Sequence, residues 1–381
     1  MKKEEHKKNG SNKLLLLIFL LILTLGIGTV GTYAWFTSNK VVDVTNLDVK
    51  VHAVNGLEIS VDGENWVTRL NKEDLVKVAY PGNTNQIPDI LGAVSTAGGV
   101  SDGKLNMYQG QVAIKCEDGS VNCPNPEYSL TTVQPSEKKC FDSLGTEMNN
   151  GRDNCNGHTY MAFDIYLKVD NDAELLLTNN ANVVSKVINN DKGIKNTTRV
   201  GFLVQGAVPY KQYTTKVVTP EQDLDHNGQW DEGEEGTDPI AYLQALNDGT
   251  DDSLIIWEPN YNAHTPSAIA AAKKFYGQDI TADTSRLDYE GVQKNITGTG
   301  ETGDPEVVKL TETNSRRWPA YFKQVVPKIQ TPVETTGADT TLELKSGVTK
   351  IRVYFWVEGQ DVDAENNATG SDMALNLEFT I

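Results

Sequence analysis

The chain has 381 residues, a net charge of −18 and a hydrophobic content of 38%. That balance argues against nucleic-acid binding, which needs clustered Lys and Arg to neutralise phosphates. The apolar content, arranged in alternating runs, excludes a disordered chain.

The chain opens with Lys2, Lys3, Lys7, Lys8 and Lys13 against Glu4 and Glu5, followed by a charge-free apolar run from Leu14 to Ala34. A basic segment before an apolar run is the layout of a secretory signal. The run is also long enough for a membrane helix, which needs about 20 apolar residues. Gly26, Gly28 and Gly31 weaken its end as a helix, and Thr32 and Ala34 place small residues where a signal peptidase reads. Residues 1–34 therefore read as a signal peptide cut between Ala34 and Trp35, or as a membrane anchor if uncut. Residues 1–34 hold five Lys and two Glu, so the exported part, residues 35–381, carries −21. The expected location is extracellular or cell-surface, with membrane contact through residues 14–34 at least before processing.

Beyond Ala34 the pattern is β. Leu47, Val49, Val51 and Ala53 alternate with polar residues, the period-2 signature of a half-buried strand. Leu57, Ile59 and Val61 repeat it before the turn Asp62-Gly63. Gln111 to Lys115 is a further short strand. Residues 116–155 are polar and turn-rich, and read as a loop insertion. They contain Cys116, Cys123, Cys140 and Cys155, the only cysteines of the chain. An even count in an exported protein predicts two disulfides, with three pairings open. The spacings C-x6-C, C-x16-C and C-x14-C lack the close pair of a zinc site.

The clearest strand runs from Met161 to Val169, followed by strands at Leu175 to Leu177 and at Val200, Phe202 and Val204. Asp238-Pro239 predicts a helix over IAYLQALND, with Asp as N-cap, Pro in the first turn and Gly249 past the end. Thr265-Pro266 opens a second helix closed by Gly277. Residues 278–305 are Gly/Thr-rich and predict an exposed loop. Strands return at Leu342 and Leu344, at Ile351 to Val357, and at Met373 to Ile381. These runs predict a mainly β fold, an antiparallel jelly-roll or β-sandwich. Residues 116–155, 221–236 and 262–305 would be insertions at its edges.

One motif carries specific chemistry. DLDHNGQWDEGE, Asp223 to Glu234, matches D-x-[DN]-x-[DN]-G-x5-E in full. Asp223, Asp225 and Asn227 supply side-chain oxygens, Gln229 its backbone carbonyl, Asp231 a direct or water-mediated contact, and Glu234 two oxygens. Gly228 permits the sharp turn. The spacing predicts a Ca2+ site. Pro220 removes the entering helix of a paired EF-hand and no second copy exists. That predicts a structural calcium loop in the weak extracellular range, roughly 10⁻⁴ to 10⁻³ M. Glu358, Asp361 and Asp363 offer a second cation site or a solvated turn.

Signatures of catalysis are absent: no H-E-x-x-H, G-x-S-x-G, P-loop or G-x-G-x-x-G. The chain therefore reads as a non-enzyme. A carboxylate pair for glycoside hydrolysis stays open, since spacing does not set distance in a β fold.

The N-terminal stretch GTYAWFTSNKVVDVTNLDVKV resembles exported Gram-positive proteins of the TasA/camelysin family. There a SipW-type signal peptidase cuts near T-[WY]-A, here Thr32-Tyr33-Ala34. The C-terminal VYFWVEGQDVDAENNATGSDMALNLEFTI is similar to the ends of clostridial surface proteins. The resemblance covers about residues 14–65. It implies a jelly-roll sandwich and a cell-surface or biofilm-matrix role, in which residues 35–53 add as a donor strand to a neighbouring copy. The partners would be self, or other matrix or cell-wall components. No zinc motif supports carrying over the protease activity ascribed to camelysin. The alternatives are an adhesin or carbohydrate-binding module, with Tyr354 and Trp356 either as an aromatic platform or packed under an insertion, and a secreted hydrolase.

Overall fold

The structure is a computed structural model that describes residues 41–53, 56–113, 127–133, 160–186, 193–270, 289–293, 322–330, 342–364 and 372–381. Residues 1–34, expected to form a signal peptide or membrane anchor, the expected cleavage site at Ala34 and Trp35, and all four cysteines lie outside these residues. Among the described residues no helix is long and apolar enough to cross a membrane.

The fold is mainly β, organised on the strand Gly347–Glu358. Its side chains alternate as period 2 demands. Ile351, Val353, Phe355 and Val357 face one way; Lys350, Arg352, Tyr354 and Trp356 face the other. The strand pairs antiparallel with Thr198–Pro209 on one side and Met161–Val169 on the other. Glu58–Ser60 extends the sheet beyond Met161–Val169, and Leu254–Glu258 and Ile329–Gln330 extend it beyond Thr198–Pro209.

A second arm is built on Val41–Val51, which runs parallel to Met373–Thr380 in a register from Val44↔Met373 to Val51↔Phe379. Arg69–Asn71 pairs with its other side. Ala173–Leu177 and Asn182–Ser185 pair with Met373–Thr380, and Leu342–Leu344 pairs with Ala173–Leu177. Ile90–Val94 ties the arms together, antiparallel to residues 41–43 and parallel to Val357 and Glu358. All of this forms one hydrogen-bonded sheet of 13 strands. The sheet is mixed, not purely antiparallel as expected. Parallel neighbours need a long crossover, and nearly the whole chain lies between Val41–Val51 and Met373–Thr380.

The main core lies between the arms. Val42, Val44, Leu47 and Val49 meet Phe163, Ile165, Leu167, Ile351, Val353, Phe355, Leu375 and Leu377 in one buried cluster. Phe202 and Phe379 touch edge to face across it, with ring centroids 5.7 Å apart, a favoured aromatic geometry. The outer face of the central strand is covered too. Tyr354 and Trp356 pack with Leu203, Ile256, Leu105, Met107 and Tyr289. Val348 and Tyr166 pack with Leu243 and Leu246 around the helix Pro239–Ala245. All of Gly347–Glu358 is therefore buried, as expected of a strand covered on both faces.

Two predicted loops contain strands. Glu127–Val133, inside the cysteine segment, pairs with Met107–Ala113. Tyr289–Val292, inside the predicted exposed loop, pairs with Phe322–Val325, and Tyr289 and Val292 are buried. Tyr289–Val292 is only four residues long, and in Glu127–Val133 the apolar Tyr128 and Leu130 alternate with Ser and Thr too weakly to stand out from polar flanks. The elements inserted between strands lie across a sheet face as well as at the edges, because Tyr354 and Trp356 need a cover. The helix after Asp238 forms as its punctuation predicts: Asp238 Oδ1 accepts from the Ala241 N–H at 2.9 Å. Residues 266–270 are helical as predicted, and the rest of that segment lies outside the described residues. The short helix Lys72–Lys77 was not anticipated, although Asn71 and Asp74 form a reciprocal capping box at its start.

Candidate metal centre

The loop from Asp223 to Glu234 is held at its neck. Val217 and Thr237 exchange two backbone hydrogen bonds, 3.0 and 2.8 Å. The Asp223 N–H donates to the Thr219 carbonyl at 3.0 Å. Gln212 Nε2 donates to the Gly228 carbonyl at 2.9 Å and Lys211 Nζ to Gln229 Oε1 at 2.8 Å, fastening the tip to the turn at Tyr210–Tyr213. Gly228 has φ +75°, as a sharp turn at that motif position requires. Trp230 Nε1 closes the far end on the Glu234 carbonyl at 2.9 Å, and Lys216 Nζ lies 4.5 Å from the Trp230 ring centre.

Carboxylate oxygens of Asp223, Asp225 and Glu234 all lie within 4.8 Å of one another. Calcium–oxygen bonds of about 2.3–2.6 Å allow ligand oxygens that far apart around one ion. Asp223 also accepts the N–H groups of Asn227 at 3.1 Å and Gly228 at 2.7 Å. Burial would raise its carboxyl, but these donors hold it below the usual carboxylate range. Glu234 accepts the N–H groups of Leu224 and Asp231 at 2.7 and 2.8 Å.

Asn227 and Asp231 complete the cluster differently. Asn227 Oδ1 accepts from the Gln229 N–H at 2.7 Å. Its amide nitrogen stands between Asp225 Oδ2 at 2.8 Å and Asp231 Oδ2 at 2.6 Å. That NH2 group occupies the place of positive charge between two carboxylates. A cation there would require the amide to turn its oxygen inward, the orientation the motif assigns to this position. Among the described residues none of the four carboxylates forms an ion pair with Lys or Arg. The donor set is all oxygen, which suits a hard cation. The structure thus brings Asp223, Asp225 and Glu234 together, with Asn227 and Asp231 beside them, while the Gln229 side chain turns to Lys211.

The loop is coupled to the body through the helix it feeds. Lys350 Nζ donates to the carbonyls of Gln244 and Leu246 at 2.7 and 2.8 Å. The central strand thereby supplies a cation to the helix C-terminus. Burial lowers the Lys350 ammonium, against the nearby Asp164 carboxylate.

The second cation segment has another fate. Glu358, Asp361 and Asp363 are 0–4% exposed and carry protein partners instead. Arg199 Nη2 contacts Glu258 Oε1 at 2.8 Å and also Asp361 Oδ2. Arg199 Nη1 donates to the carbonyl of Thr198 at 2.9 Å. His264 Nδ1 lies 2.6 Å from Asp363 Oδ2, and the Thr265 N–H donates to Asp363 Oδ1 at 3.0 Å. Trp356 Nε1 and the Gln360 N–H donate to Glu358, each at 3.0 Å. Burial nevertheless pushes Glu358 up to about 7, and burial raises Asp363 too. The turn is neither solvated nor an open oxygen cage. Arg199, Glu258 and His264 escaped the sequence reading. Its one clue was a lone Arg within the apolar strand TRVGFLV.

Tyr354 and Trp356 are also withdrawn from solvent, at 1% and 0% exposure. Tyr354 Oη accepts from the Leu105 N–H at 3.1 Å. They serve as packing under residues 94–107 and offer no platform for a sugar.

Comparison with protein-family models, with curated proteins and with solved structures finds no match to this chain.

Proposed function

We propose that this chain is an exported structural protein of the cell surface, a matrix subunit with a jelly-roll sandwich body and a calcium-stabilised loop. The observation that carries the reading is the position of Val41–Val51. It begins a few residues past the proposed cleavage site at Ala34 and lies inside its arm, between Met373–Thr380 and Arg69–Asn71. Val42, Val44, Leu47 and Val49 are fully buried there. A neighbouring copy can deliver the same strand, because the ladder bonds and apolar burial made in cis are equally available in trans.

Both sides of this strand are already paired within the chain. Assembly would therefore exchange the strand between copies and would not add a further one at an open edge. Removal of residues 35–45 would strip Val42 and Val44 from the core, so that deletion would damage the monomer as well as the fibre. Cleavage after Ala34 frees the segment ahead of the strand; retention of residues 14–34 leaves the body tethered to a membrane. Calcium at Asp223, Asp225, Asn227, Asp231 and Glu234 supplies charge neutralisation that sets the loop and the helix after it.

The test is N-terminal sequencing and electron microscopy of the exported protein, repeated with a synthetic peptide of residues 41–53 in excess. Chains beginning at Trp35, forming fibres that the peptide shortens, are expected. A processed protein that stays monomeric at every concentration overturns the reading.

A further inference from the structure

The pair Asn227-Gly228 sits at the tip of the calcium-type loop, with a hydrogen-bond partner on each group that a reaction between the two residues would use. Gly228 is exposed, has φ +75°, and an added Cβ would meet nothing within 4 Å, so that face of the turn is open. The Gly228 N–H donates to Asp223 Oδ2 at 2.7 Å, within reach of a general base. The side-chain carbonyl of Asn227 is polarised by the Gln229 N–H, 2.7 Å from Oδ1, where charge develops during attack on Cγ. The Asn227 amide nitrogen is fixed between Asp225 and Asp231. Nucleophile with acceptor, polarised electrophile and oriented leaving group are the three parts of an acyl transfer.

We infer that Asn227-Gly228 is a self-modification site, at which the folded loop converts its own asparagine to aspartate and isoaspartate. The Gly228 nitrogen attacks Asn227 Cγ. The N–Cγ bond forms, the Cγ–Nδ2 bond breaks, and ammonia leaves with the proton lost from the Gly228 nitrogen. Water then opens the cyclic imide at either carbonyl. No redox partner is needed. Opening at the side-chain carbon restores Asp at the backbone. It puts a fifth carboxylate beside Asp223, Asp225, Asp231 and Glu234, at a position where the motif accepts Asp or Asn. Opening at the other carbon inserts a methylene into the backbone and spoils the spacing of the cluster. The loop's charge therefore changes with the age of the molecule.

A second consequence rests on the calcium reading: an ion drawing Asn227 Oδ1 inward takes the carbonyl away from the Gln229 N–H and slows the reaction.

The full chain is incubated in mildly alkaline buffer with a chelator, with calcium, or unfolded in guanidinium chloride, and residue 227 is followed by peptide mass spectrometry. Conversion in the folded, chelated protein at least as fast as in the unfolded chain is expected. Asp223→Asn should slow the folded chain and leave the unfolded chain unchanged. If folding protects Asn227 several-fold relative to the unfolded chain, the proposal fails. A fast reaction that calcium does not slow upholds the modification and overturns the ion site.

Discussion

Arg199 carries the sharpest energetic prediction. Its guanidinium is fully buried and contacts both Glu258 and Asp361. It also donates to the Asn196 and Thr198 carbonyls and lies 5.1 Å from the Tyr289 ring centre. Arg199→Met keeps the bulk and removes the charge, leaving two carboxylates buried without their shared cation. Removing one partner of a buried pair costs about 3–5 kcal/mol. With a urea slope of about 3 kcal/mol per M, the midpoint should fall by about 1 to 1.7 M. Trp257 and Trp356 are buried, so their fluorescence should report the transition. Adding Glu258→Leu and Asp361→Leu should restore most of the loss, because an apolar replacement of a whole buried ionic group is near neutral. A cost below about 1 kcal/mol, or a triple variant no better than the single, would refute the reasoning.

Three further outcomes are expected. Burial pushes the Glu358 carboxyl up to about 7, from 4.5 for a free glutamate. Since the folded value is raised, the wild type should lose about 3 kcal/mol as pH climbs from about 4.5 to above 7. Glu358→Gln should flatten that part of the Tm-against-pH curve, and a parallel curve would sink the assignment. At 10 mM calcium, a site of roughly 10⁻⁴ to 10⁻³ M should add about 1.4–2.7 kcal/mol of stability over chelator. Differential scanning calorimetry should show that gain lost in Asp223→Ala and in Glu234→Gln. Phe202→Ala should cost about 3–5 kcal/mol by urea denaturation. Its ring meets Phe379 between the two arms, and a loss under 1 kcal/mol would mean the arms do not share one core.

Local features were legible without coordinates. The alternation of Met161–Val169, Gly347–Glu358 and Met373–Thr380 marks strands, because side chains on a pleated backbone must point to opposite faces every second residue. Asp238-Pro239 announces a helix start, because an N-cap oxygen and a missing N–H are needed at that place. The motif from Asp223 to Glu234 was complete on the page, because every oxygen it needs comes from a dozen consecutive residues. Tertiary structure decided what period 2 leaves open. Two-faced alternation says nothing about what covers the second face, so an exposed platform and packing under an insertion were both open for Tyr354 and Trp356; Leu105, Met107 and Tyr289 lie over them. Arg199 finds Glu258 and Asp361 only through the pairing of Thr198–Pro209 with Leu254–Glu258 and Gly347–Glu358. Likewise the parallel match of Val41–Val51 to Met373–Thr380 joins the two ends of the described chain. Such contacts follow from strand order, which is set by the burial of the whole sheet and by no single segment of it.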